Sequence, residues 1–152
     1  MSFSVITDRN IRIAVIGCGR ISKNHLDSIE NHGNNLELVA VCDNDGQVLK
    51  KHTDKYRVNG YSSMRELLEN EEVDLVSICT PSGIHPDQVE LAAEFGVNVV
   101  TEKPMATRWA DGVRMVKACD DAGVKLFVVK QNRKNATLQL LKRAVEEKRF
   151  GK

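Results

Sequence analysis

Six consecutive residues, Gly17-Cys18-Gly19-Arg20-Ile21-Ser22, have the types and spacing to hold a pyrophosphate. That anion is best met by backbone. One glycine lets the chain turn sharply, and a second removes the side chain that would keep the backbone away. Gly17 and Gly19 fill these two places, Arg20 and Ile21 continue the turn, and the third place, which demands only a small residue, is held by Ser22. A helix beginning here would aim N–H groups and the positive end of its dipole at the anion. About 20 residues further on, where an acid accepts hydrogen bonds from the adenosine ribose, stands Asp43. Its carboxylate would repel a 2′-phosphate, and Asn44 and Asp45 bring no compensating cation. The set points to NAD over NADP. Without a ligand, the same residues read as a tight turn and a helix cap.

Three further polar clusters each follow an apolar run: Cys79-Thr80-Pro81-Ser82 with His85, Thr101-Glu102-Lys103-Pro104, and Lys130-Gln131-Asn132-Arg133. Ligands of open α/β sheets sit beyond the carboxyl ends of the strands, so the three clusters should lie along one rim. Hydride transfer from a secondary alcohol requires loss of the hydroxyl proton. A desolvated lysine beside cofactor and substrate can take or relay that proton and stabilise a developing alkoxide, which makes Lys103 the catalytic candidate. Glu102 either orients Lys103 or touches a ribose hydroxyl. Thr80 and Pro81 are expected to line the cofactor crevice. His85 either reaches the cofactor or simply opens the next helix. Arg133 could bind a carboxylate or phosphate of the substrate bidentately. His25 and His32 fall on a surface helix and its end and are assigned no role.

These residues need a scaffold of alternating elements. Ile11–Gly17, Leu36–Asp43, Val58–Tyr61, Asp74–Thr80, Val97–Glu102 and Lys125–Lys130 read as strands. Between them lie amphipathic stretches with apolar residues at helical spacing. Ile21, Leu26 and Ile29 share one face, Trp109, Val113, Val116 and Cys119 another, and Leu138, Leu141 and Val145 are expected to point inward from a last helix over Asn135–Arg149. Ser63 with Glu66 reads as a capping box, and Thr107 as the cap of the helix carrying Trp109. Such alternation implies right-handed crossovers. The expected fold is α/β, a doubly wound parallel sheet of Rossmann type in the order 3-2-1-4-5-6, one dinucleotide-binding domain over residues 1–152.

Composition narrows the function classes. Among 152 residues, 22 are basic and 21 acidic, and aromatics make up 5%. Neither a basic excess for nucleic acid nor a polybasic run for a membrane surface is present, and stacking platforms for single strands would need more rings. Cys18, Cys42, Cys79 and Cys119 form no CxxC pair and read as small buried hydrophobes, with no metal site. No apolar run approaches the roughly 20 residues of a membrane span, and the first residues lack the pattern of an export signal. The expected compartment is the cytoplasm.

The ordered set of GxGxxS, Asp43, C-T-P-x-x-x-H, E-K-P and Q-N-R resembles the Gfo/Idh/MocA oxidoreductases, named for glucose–fructose oxidoreductase and inositol dehydrogenase. The likeness runs from about Ile11 to Phe150. It implies that Lys103 lies near nicotinamide and substrate, that the bond before Pro104 is cis, and that Gln131 approaches the nicotinamide end or the substrate. The run from Val129 to Asn135, continuing as ATLQLLKRAVEEKRFG, is similar to one branch, the UDP-N-acetyl-2-amino-2-deoxyglucuronate dehydrogenases of bacterial O-antigen synthesis. That branch implies a UDP-sugar acid as substrate, oxidised at C3 with NAD as hydride acceptor. Inositol or another sugar, or a dinucleotide-binding module without catalysis, are the alternatives. The family also implies a second α/β domain with much of the substrate site and the main contacts of a homo-oligomer. These 152 residues hold none of it. Cofactor binding with little turnover is therefore expected of the chain alone, together with an exposed apolar surface that favours self-association.

Overall fold

Aliphatic residues dominate Ile11–Ile16 and Leu36–Cys42, and both segments become strands, β1 and β2, paired in parallel. The computed structural model describes residues 6–151. The expectation of no export signal, and the domain limits at residues 1 and 152, fall partly outside that range. The remaining strands are β3 (Asn59–Tyr61), β4 (Leu75–Ile78), β5 (Asn98–Thr101) and β6 (Leu126–Val128). All six form one parallel sheet in the order β3-β2-β1-β4-β5-β6, which is the doubly wound order read from the sequence. The helices between them are α1 (Ser22–Asn31), α2 (Gly46–Tyr56), α3 (Met64–Asn70), α4 (His85–Glu94) and α5 (Trp109–Ala122). A last helix, α6 (Ala136–Glu146), follows β6.

Because successive strand residues face opposite sides, β1 feeds two cores. Ile13 and Val15 pack with Leu26 and Ile29 of α1, whereas Ala14 and Ile16 join Leu67, Val89 and Met115 from α3, α4 and α5. With both faces covered, the sheet presents its functional groups at its carboxyl edge.

Several local expectations need correction. Ser63 stands at the N-cap of α3 in an extended conformation, but its hydroxyl makes no capping bond. Arg108, not Thr107, occupies the N-cap of α5. Real side-chain caps are made by Asp45, which accepts the N–H groups of Gln47 and Val48, and by Asn135, which accepts those of Thr137 and Leu138. On α5, Met115 and Cys119 take the core, while Trp109, Val113 and Val116 are exposed. Leu138, Leu141 and Val145 of α6 are likewise exposed rather than inward. Periodicity reveals that a face is apolar but not that anything covers it. Among the described residues, no helix is long and apolar enough to cross a membrane.

Candidate active site

The first βα turn is held by backbone bonds. Gly17 donates its N–H to the carbonyl of Cys42 at 2.8 Å, and Cys79 donates to that of Ile16 at 2.7 Å. The ends of β2, β1 and β4 thereby close on one another. Gly17 has φ = 88°, the left-handed region that favours glycine. A Cβ placed there would lie 2.9 Å from Thr80 Cγ2 and 3.0 Å from the Thr80 nitrogen. Gly19 is different, since a Cβ there would meet nothing within 4 Å. Gly17 is demanded by packing inside the protein, whereas at Gly19 the protein itself needs no glycine. Ser22 is fully buried, and its hydroxyl donates to the Gly19 carbonyl at 2.6 Å.

Asp43 sits just past β2. One carboxylate oxygen accepts the Cys18 N–H at 2.7 Å and the other the Asp45 N–H at 2.9 Å. Each oxygen keeps a lone pair for another donor. Gly17, Gly19, Asp43, Thr80 and Pro81 all line one crevice of about 380 Å³, joined by Ile84 and Gln88. Thr80 Oγ1 donates to Gln88 Oε1 at 2.5 Å. Arg20 is exposed and Ile21 half-buried on the segment leading into α1. These features fit a dinucleotide: open space over Gly19, a helix start beside it, and an acid with free lone pairs at the far end. Any such cofactor would be held by Gly17, Gly19, Asp43, Thr80 and Pro81.

Burial pushes the Cys18 and Cys79 thiols up to about 12 and the Cys42 thiol to about 11; nearby carboxylates, chiefly Asp43 and Glu102, push the same way. Thiols so protonated are inert. All four cysteines are free and buried, and among the described residues no cluster of His, Cys, Asp or Glu is placed to hold a metal ion.

Glu102-Lys103-Pro104 follow β5 at the same carboxyl edge of the sheet, although none of the three lines the crevice. The Glu102 N–H donates to Ile78 at 3.0 Å, tying the turn to β4, and the Lys103–Pro104 bond is cis. Glu102 is buried while Lys103 is exposed. Glu102 Oε2 accepts the backbone N–H of Lys103 at 3.1 Å. His85 opens α4, and its imidazole is only 1% exposed. Nδ1 faces the Pro104 carbonyl at 3.1 Å and Nε2 the Thr80 carbonyl at 2.9 Å. Both ring nitrogens thus face backbone carbonyls, and His85 is not among the crevice-lining residues. Gln131 and Arg133 lie in a 3₁₀ turn beyond β6, both exposed. Arg133 borders a separate depression with Leu138 and Lys142, so the third cluster does not join the crevice. His25 was missed by the sequence reading. It lies against Glu102, with Nε2 3.0 Å from Oε1, although 77 residues separate the two.

A parallel sheet in this order, with a left-handed glycine in the first βα turn and an acid after the second strand, defines a dinucleotide-binding domain of Rossmann type. The chain belongs to the Gfo/Idh/MocA family, whose model, described as an oxidoreductase family with an NAD-binding Rossmann fold, matches residues 11–130. The D-apiose dehydrogenase of Paraburkholderia graminis is 34% identical over 152 residues, covering 99% of this chain and 40% of that protein. The WlbA dehydrogenase of Bordetella pertussis, solved in complex with NADH and UDP-GlcNAcA, is 53% identical with a TM-score of 0.90, covering 94% of this chain and 44% of that one. The WlbA dehydrogenase of Chromobacterium violaceum, solved with the same two ligands, is 52% identical with a TM-score of 0.95, covering 99% and 44%. The chain thus spans less than half the length of these relatives.

Proposed function

We propose that this chain is the coenzyme half of a dehydrogenase that oxidises a secondary alcohol of a UDP-sugar acid, at C3 of UDP-N-acetylglucosaminuronic acid, and that it prefers NAD to NADP. The observation that carries the substrate class is identity. The two dehydrogenases crystallised with UDP-GlcNAcA match at 53% and 52%, against 34% for the apiose enzyme. The geometry supports the chemistry, since the turn that carries the exposed Lys103 is tied to β4, and Cys79, Thr80 and Pro81 just past β4 line a crevice that fits a dinucleotide.

When bound, NAD accepts the hydride. The backbone around Gly17 and Gly19 and the start of α1, with Arg20 and Ile21, receive the pyrophosphate. Asp43 accepts the ribose hydroxyls and turns away a 2′-phosphate. Thr80 and Pro81 form the wall of the crevice. Lys103 Nζ takes the hydroxyl proton or holds the developing alkoxide. Glu102 keeps the lysine in place. Arg133 and Gln131 act on the substrate side, for which the other half of the enzyme brings the complementary surface.

Two measurements test this reading. Fluorescence titration is expected to show saturable NADH binding and at least roughly tenfold weaker NADPH binding, because like charges would meet at Asp43. A folded chain that ignores millimolar NADH overturns the cofactor assignment. For the substrate, this chain can replace the matching domain of the Bordetella pertussis enzyme. The chimera is expected to reduce NAD with UDP-GlcNAcA. Lys103→Met should keep NADH binding and lose turnover by roughly a hundredfold or more. A chimera that binds NADH yet is inert toward UDP-GlcNAcA, or a K103M variant at full rate, defeats the reading.

A further inference from the structure

Ser77, His25 and Glu102 form a continuous side-chain chain that the site as described does not use. Ser77 Oγ lies 2.7 Å from His25 Nδ1, and His25 Nε2 lies 3.0 Å from Glu102 Oε1. The residues come from β4, α1 and the end of β5. Serine, histidine and acid in series suggest a nucleophile, but Ser77 is 3% exposed inside the sheet, and no substrate reaches its hydroxyl. The set must act on its other end.

At that end, a carboxylate is taken out of water. The Glu102 side chain is 9% exposed and that of His25 14%. A buried carboxylate is costly unless donors meet its oxygens. Here Oε1 takes the His25 N–H and Oε2 takes the Lys103 N–H. In the neutral ring, Nε2 donates only when Nδ1 is the acceptor, and the Ser77 hydroxyl at 2.7 Å can supply that hydrogen. The carboxylate, which can only accept, therefore selects the Nε2–H tautomer, Ser77 satisfies Nδ1, and the carboxylate closes the turn that carries Lys103. His25 also stands in the first turn of α1, three residues after Ser22, on the helix whose start borders the pyrophosphate crevice.

We propose that His25 is a positioning residue: through Glu102 it locks the Glu102-Lys103-Pro104 turn to α1, so that one helix sets both the phosphate end and the reactive end of the site. The proposal rests on the reading of Lys103 as the group at the reactive end.

The test is amide hydrogen exchange and histidine ¹⁵N NMR on this chain without ligand. In the wild type, His25 is expected as the Nε2–H tautomer, with a protected Lys103 amide. His25→Ala should speed exchange at Lys103 by roughly tenfold or more, the loss of one charge-assisted bond, while amides within β1 and β4 keep their rates. His25→Gln, which can still donate from Nε2 to Glu102, should recover most of that protection, a rescue that a merely space-filling histidine would not show. An Nδ1–H tautomer overturns the proposal, as do unchanged Lys103 exchange in H25A and a folded H25Q as fast as H25A. If H25A does not fold, H25Q decides alone: wild-type protection at Lys103 supports the lock, and lost protection ends it. None of these results depends on NADH. Failure of NADH to bind would remove the functional reading and leave the exchange result standing.

Discussion

Gly17 and Gly19 have the same residue type for different reasons, and substitution separates them. At Gly17 a Cβ would press on the Thr80 side chain and backbone at about 3 Å, in a left-handed conformation. Gly17→Ala is expected to cost about 1–3 kcal/mol, read as a lower urea midpoint. At Gly19 the Cβ would enter open space with no conformational penalty, so Gly19→Ala should leave stability within about 0.5 kcal/mol. It should nevertheless weaken NADH roughly tenfold or more, because the lost feature is the close approach of backbone to pyrophosphate. Equal NADH affinity in G19A and wild type would show that the cofactor does not lie over Gly19. The two glycines and Asp43 were legible in the sequence because fixed local spacing carries the physics. His25 was not. It lies between Ser22 and Leu26 on a helix that faces the sheet, and its partners are 52 and 77 residues away, so no local pattern reports them. His85 was legible only as a choice between two roles, since the sequence shows the residue but not which carbonyls its ring nitrogens meet.

The entry to β4 shows how an element is anchored by charge. Asp74 accepts two bonds from the Arg9 guanidinium, at 2.5 and 2.8 Å, and one from the Arg12 N–H of β1 at 2.8 Å. The Arg9 guanidinium, chiefly, holds the Asp74 carboxyl below the usual aspartate range, with the Arg12 N–H helping. A folded-state value below the unfolded one means stability that is whole above the ordinary aspartate pKa of about 3.9 and is lost as pH falls through the lower folded value. Asp74→Asn should remove that dependence. In urea titrations, the wild-type midpoint is expected to fall more steeply than the D74N midpoint below about pH 4. Parallel acid limbs in the two proteins would mean that the anchor carries no such linkage. The strands themselves were readable, because apolar β-formers between turn residues have few alternatives. The faces of the last two helices were not. On α5 the covered stripe runs through Met115 and Cys119, and the Trp109-Val113-Val116 stripe lies about a quarter turn away. Both stripes are apolar, so periodicity alone cannot rank them.

Those uncovered stripes give the molecule an uneven surface. β6 is an edge strand with Phe127 exposed. Beside it runs a groove of about 690 Å³ between Met105 and the Trp109-Val113-Val116 face of α5, where Trp109 is 87% exposed. Later in the chain, α6 holds out Leu138, Leu141 and Val145 on a helix with no buried residue. Exposed apolar stripes of this kind are uncommon on a protein that stays alone in water, because covering them removes apolar area from solvent. The chain is therefore expected to self-associate. Light scattering over a rising concentration series should give an average mass that climbs above the 17.0 kDa of one chain. The double variant Leu141→Glu with Val145→Glu should return it to 17.0 kDa. The two side chains are 48% and 60% exposed, so the change should move stability by no more than about 0.5 kcal/mol. That stability control separates loss of an interface from loss of the fold. A wild-type mass that stays flat across the series would mean that this surface is tolerated in water, and that its apolar stripes do not drive association between copies.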